Sequence, residues 1–254
     1  MSAERLDQAV GGLYATFAAF ELGAVAGCPH CVDGDDQREI RRVPLRELTG
    51  DDLGHYAFKA VTTWGDADDL RHFLPRLLEL AAHGALPVDL AVVLGKLRLA
   101  RWSQWPEEQR DAIEAFAGAW WRHTLAMFPA ADDAATVLQA IGQAVDDLSL
   151  FLSGWLDPPG EPAVRHLAAF VDHLAYTARR RPTGLVLGGW WHDQPAQLLT
   201  WLARPAPRDA LENAFFEAGS APIAAEMSAA VDQLAWLTGV SIHGVGGGAS
   251  DTET

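Results

Sequence analysis

The chain has 254 residues, 49% hydrophobic and 21% charged, a balance that excludes an extended disordered segment as the main component and leaves enough length to bury a core without a disulfide framework. Its formal charge of -15, from 34 acidic against 19 basic residues, repels phosphate backbones and anionic headgroups, so neither nucleic acid nor a membrane surface is expected as a partner. No apolar run approaches the ~20 residues that a spanning helix requires.

In chain order, the first eight residues carry Glu4, Arg5 and Asp7 and lack the basic-then-apolar pattern of a secretory leader, so the expected location is the cytoplasm. Leu6, Leu13, Phe17 and Phe20 recur at helical spacing. The stretch 24–50 is poorly periodic and contains both cysteines, Cys28 and Cys31. Thr49 followed by Asp51 and Asp52 reads as a cap ahead of a helix bearing Leu53, Ala57, Ala60 and Trp64. Gly65 ends that helix, and Asp66 caps the next, with Leu70, Leu74, Leu77 and Ala81 on one face. Pro106, Glu107 and Glu108 suit a first turn, leading into a stripe of Ile113, Phe116, Trp120, Thr124 and Met127. Val137, Ile141, Val145, Leu148, Leu152 and Trp155 form one continuous stripe, and Pro158, Pro159 and Pro162 break the chain after it.

Val164, Leu167, Val171 and Leu174 mark a further helix, from which His166 and His173 read as surface or flank residues. Residues 184–188 hold the only short strand candidate, and three apolar residues do not make a sheet. Next come Gly188, Gly189, Trp190 and Trp191, the tryptophans filling core, with Asp193 or Gln194 capping a helix from Pro195. Ile223, Met227, Val231 and Leu234 give the last stripe, and the Gly-rich polar tail from Gly244 is expected to be disordered. The pattern predicts an all-α protein, an irregular antiparallel multi-helix bundle of about nine or ten helices or a solenoid-like array. It reads as a single helical domain over 1–243 with a Cys-containing turn at 24–50 and a tail at 244–254. Lysine occurs only at Lys59 and Lys96, every other basic residue being arginine, and with the abundant alanine this points to a GC-rich bacterial gene.

The sharpest chemical feature is the run Cys28, Pro29, His30, Cys31. Two thiolates three positions apart can hold one metal ion from a tight turn, and a closed tetrahedral zinc site needs two further ligands. His55 and His72, each in the first turns of a helix that follows, are the candidates, giving a structural zinc on Cys28, Cys31, His55 and His72. The same four-residue run resembles the active-site motif of periplasmic thioredoxin-fold disulfide oxidoreductases. That resemblance implies Cys28 as the attacking thiolate and Cys31 as the resolving thiol. In that family the motif follows a strand and opens a helix, whereas here it follows an Ala-rich helical stretch and runs into Val32, Asp33 and Gly34.

Asp52 with His55, and Asp69 with His72, repeat a carboxylate-to-imidazole spacing of three, a weak echo of di-iron bundles, although acids in a first turn also follow from the helix dipole. Nucleotide-binding glycine loops, a serine-hydrolase elbow and a zinc-protease helix motif are absent from the sequence. The expected role is therefore a non-enzymatic interaction or accessory module whose partner is another protein, with zinc at the cysteine turn. The alternative is a metal-dependent or thiol-redox enzyme using Cys28, Cys31 and the nearby histidines.

Overall fold

The computed structural model describes residues 2–157, 160–180, 190 and 193–244, with side chains as far as 239. The protein is all-α: these residues form twelve α-helices and two short 3-10 turns, and among them there is no strand, only isolated bridges from Trp64 to Gly27 and to Ala60. No described helix is long and apolar enough to cross a membrane. Contacts divide the chain into two compact units, one of residues 1–124 and 130–145, the other of residues 125–129 and 146–254.

In the first unit, α1 (Ser2–Thr16) buries Leu6, Val10, Leu13 and Tyr14 and packs against α4 (Ala67–Ala82). The intervening segment holds the short α2 (Gly34–Glu39), a 3-10 turn at Leu45–Glu47 and α3 (Gly50–Lys59). Both α3 and α4 begin with the same device. Thr49 accepts from the Asp52 N–H while the Asp52 carboxylate accepts from the Thr49 N–H, and Asp66 and Asp69 repeat the exchange. Two otherwise orphaned amide donors are satisfied at each helix start. The acids of the two Asp-to-His pairs are thus the closing members of capping boxes, and that role accounts for their spacing.

Helix α5 (Leu90–Leu99) packs on α7 (Ala134–Ala144), and α6 (Glu107–Leu125) buries Ile113, Phe116, Trp120 and Thr124. Met127, expected on that stripe, lies beyond the helix and is exposed. The stripe from Val137 to Trp155 is not one helix. It breaks at Val145, which is extended, and resumes in α8 (Ser149–Gly154), just ahead of which the Asp147 carboxylate accepts the Ser149 N–H. The boundary between the units falls at this break. Six-residue helices such as α2 and α8 show no stripe of their own, so the helices outnumber those that periodicity separates.

The second unit is built on α9 (Glu161–Arg179), α10 (Gln194–Leu202), α11 (Pro205–Glu217) and α12 (Ala221–Gly244). Val164, Leu167, Val171 and Leu174 are all buried, and α9 packs on both α11 and α12. Trp155 stacks on Trp201, ring centroids 5.3 Å apart, and its indole N–H donates to the Ala163 carbonyl. His166 is a correction: it is only 2% exposed, bonded through Nε2 to the Met127 carbonyl at 2.8 Å, with its ring against Phe128. His173 is exposed, as expected. Asp193 stands at the N-cap of α10 but makes no side-chain capping bond. The strand candidate at 184–188, Trp191 and the tail residues 245–254 lie outside the described residues, and Gly244 closes α12.

Candidate functional site

The cysteine turn is built from the backbone outward. The Cys28 carbonyl accepts from the Cys31 N–H at 2.9 Å and the Val32 N–H at 3.0 Å, which coils residues 28–32 into a single helical turn. Two bonds tie the turn to the loop after α3, from Cys28 N–H to the Thr63 carbonyl (2.9 Å) and from Gly65 N–H to the Ala26 carbonyl (2.6 Å). Below it Val25 and Val32 are buried, and Gln37 donates to the Val25 carbonyl. Gly27 is required here: a Cβ at that position would lie 2.9 Å from the Cβ of Val32. The receiving loop is strained, since Val61 adopts φ 63°, a region costly for a β-branched residue.

Cys28 stands where a capping serine or aspartate would stand, at the start of that turn. Both cysteines are free and half-buried. The thiol of Cys28 is held below its ordinary titration range, first by the backbone N–H of His30, then by the Cys31 thiol, with burial opposing and the Cys31 N–H and the Lys59 ammonium adding to the effect. Lys59, in the last turn of α3, reaches back across the site and donates to the Cys31 carbonyl at 2.6 Å.

The histidines take other partners. Imidazole Nδ1 of His55 donates to the Asp36 carboxylate on α2 at 2.6 Å, and its ring stands edge-on to Trp64. Imidazole Nδ1 of His72 donates to the Phe20 carbonyl at 2.6 Å, and its ring stands edge-on to Phe73. Asp36 titrates below the usual carboxylate range: burial raises it, and the Asp33 N–H, His55 and Lys59 together outweigh that. The structure therefore brings Cys28 and Cys31 together in one turn, with Lys59 acting on both the turn and Asp36. It directs His55 to α2 and His72 to the end of the α1 segment. Among the described residues no three His, Cys, Asp or Glu side chains form a group able to hold a metal ion.

Sequence reasoning missed Lys59 and the Asp36–His55 pair. A lysine at a helix C-terminus reads as a partner of the dipole, although a chain with only two lysines gave a reason to ask what each does. The other, Lys96, is buried and likewise spent on a carbonyl, that of Phe58 at 2.5 Å. No protein-family model, no curated protein and no solved structure matches this chain.

Proposed function

We propose that the chain is a thiol–disulfide exchange protein whose working site is the Cys28–Cys31 turn, carried on a helical scaffold instead of a sheet. The observation that supports this best is the turn itself: two half-buried free thiols share one hydrogen-bonded turn, in which the Cys28 carbonyl accepts from the Cys31 and Val32 N–H groups, and the Cys28 thiol is held below its ordinary titration range. In the first step the Cys28 thiolate attacks a sulfur of a partner disulfide, forms a mixed disulfide and releases one partner thiolate. The Cys31 thiol then gives up its proton, and its sulfur attacks the Cys28 sulfur. The second partner thiol leaves, and an intrachain Cys28–Cys31 disulfide remains. Two electrons pass to the partner, and a small-molecule thiol restores the reduced turn. Lys59 orients Cys31 through its carbonyl and adds positive charge beside the attacking sulfur.

A disulfide-bonded polypeptide is the partner class in this reading, which keeps the expectation of a protein partner. The experiment is a trap. The reduced Cys31→Ser variant, mixed with oxidised glutathione, is expected to accumulate one glutathione adduct on Cys28, visible by mass spectrometry, while the intact chain proceeds to an internal disulfide. Thiols of the folded protein that stay unmodified, or an adduct that forms on Cys31 in the intact chain, would overturn the proposal.

A further inference from the structure

We infer that the reduced Cys28–Cys31 turn is also a two-coordinate site for a soft monovalent cation, Cu(I). The inference uses the same pair of thiols as the exchange reading but not the exchange reaction. Zinc asks for a closed set of four ligands. The Nδ1 bonds of His55 to Asp36 and of His72 to the Phe20 carbonyl would still allow ligation through Nε2, but among the described residues neither imidazole is grouped with the two thiols. With no third acidic, thiol or imidazole side chain grouped with the pair among the described residues, the site offers two sulfurs and nothing harder. Soft thiolates favour Cu(I), zinc and iron–sulfur clusters; zinc and the clusters ask for four ligands, whereas the filled d shell of Cu(I) accepts a linear pair of sulfurs.

Charge points the same way. Two thiolates neutralise Zn(II), but with Cu(I) they leave a complex of net charge -1, and Lys59, whose Nζ lies 2.6 Å from the Cys31 carbonyl, is the cation beside it. The turn is fixed on one side by the Cys28–Thr63 bond and on the other by Lys59, so both sulfurs are carried on a backbone already folded before metal arrives. Binding is a simple replacement: Cu(I) enters, two S–H protons leave to solvent, and no oxidant or reductant is consumed.

The test is an anaerobic titration in which the reduced full-length chain competes with bicinchoninate for Cu(I), read as loss of the coloured complex. One Cu(I) withdrawn per chain is expected. Cys28→Ser and Cys31→Ser should each weaken binding by more than the ~100-fold that follows loss of an outer-sphere contact, whereas His55→Ala and His72→Ala should leave it unchanged. X-ray absorption on the loaded chain should report sulfur neighbours alone, which decides the matter even if a serine variant fails to fold. A folded chain with two titratable thiols that withdraws no Cu(I), imidazole scattering in the loaded spectrum, or a folded serine variant of full affinity would overturn the inference. If the glutathione trap succeeds and Cu(I) is not taken, only the metal site falls. Cu(I) uptake with no trapped adduct removes only the exchange reading.

Discussion

Lys59 acts electrostatically on two groups at once, the Cys28 thiol and the Asp36 carboxylate, and lowers the titration range of both. For the thiol the consequence has a definite sign. Removing the ammonium makes the thiolate less favourable, so Lys59→Met is expected to move the Cys28 titration to higher pH and to slow disulfide exchange at neutral pH by about two- to three-fold, the size of a partly exposed charge contact. Lys59→Arg keeps the charge and should stay close to the parent. Thiolate absorbance near 240 nm, followed against pH in the Cys31→Ser background, is the measurement. An unchanged titration in Lys59→Met would show that Lys59 serves the Cys31 carbonyl alone. The effect is bounded because the His30 N–H is the larger influence and remains in the variant.

At the scale of the element, α1 and α3 hold glycines with opposite meanings. Gly11 lies inside α1 with nothing within 4 Å of where a Cβ would stand. Gly11→Ala is therefore expected to stabilise by about 0.5–1 kcal/mol through helix propensity and a less free unfolded chain. Gly50 opens α3, and a Cβ there would fall 1.9 Å from the Ala85 carbonyl oxygen, a backbone atom. Gly50→Ala must push two backbone segments apart, at a cost of about 3 kcal/mol or more. Chemical denaturation of both variants checks the pair, and a Gly50→Ala chain of parental stability would mean that α3 and the segment at Ala85 are not in contact.

The same elements show what could be read in advance. Thr49 and Asp66 announced their helices because a capping box is a local pattern, complete within four residues. The cysteine turn was local too, and was legible for that reason. The break at Val145 was not, since apolar spacing continues unbroken through it while the backbone turns extended there. The fates of His55 and His72 were out of reach for another reason: Asp36 and the Phe20 carbonyl are brought to them by tertiary packing, and no helix-face argument from α3 or α4 alone contains those partners.

Over the whole molecule, the -15 charge at neutral pH and the carboxylates held below their usual range pull stability in opposite directions as pH falls. Self-repulsion relaxes as the chain approaches its isoelectric point near 4.8. Burial raises Asp69 and Asp132 above the usual carboxylate range, so each is a cost to the folded state when ionised that protonation removes on the way down from neutrality. Other groups are lowered. Asp52 is held well below that range, first by the Thr49 N–H, with burial opposing and Arg42 adding a charged hydrogen bond of 2.8 Å. Glu79 is lowered as well: burial opposes, and bonds from Tyr14 and Arg76 prevail.

A carboxylate depressed in the folded state contributes stability that is present above its unfolded value, about 4 for these acids, and is lost as pH falls through the folded value. The two sets therefore act in separate windows. Melting temperature is expected to rise from pH 7 toward the acid side, pass a maximum, and fall below about pH 4. Asp52→Asn keeps the side-chain shape but loses the charge. It should cost about 2 kcal/mol at pH 7, as expected for a charged capping and pairing contact, and the gap to the parent should close as the acid limb is descended. Thermal melts of both chains from pH 3 to 8 decide it. A parent whose stability climbs steadily to pH 3 would show that diffuse repulsion outweighs the capped and paired carboxylates, and a gap that stays constant would show that Asp52 contributes through shape and not through its charge.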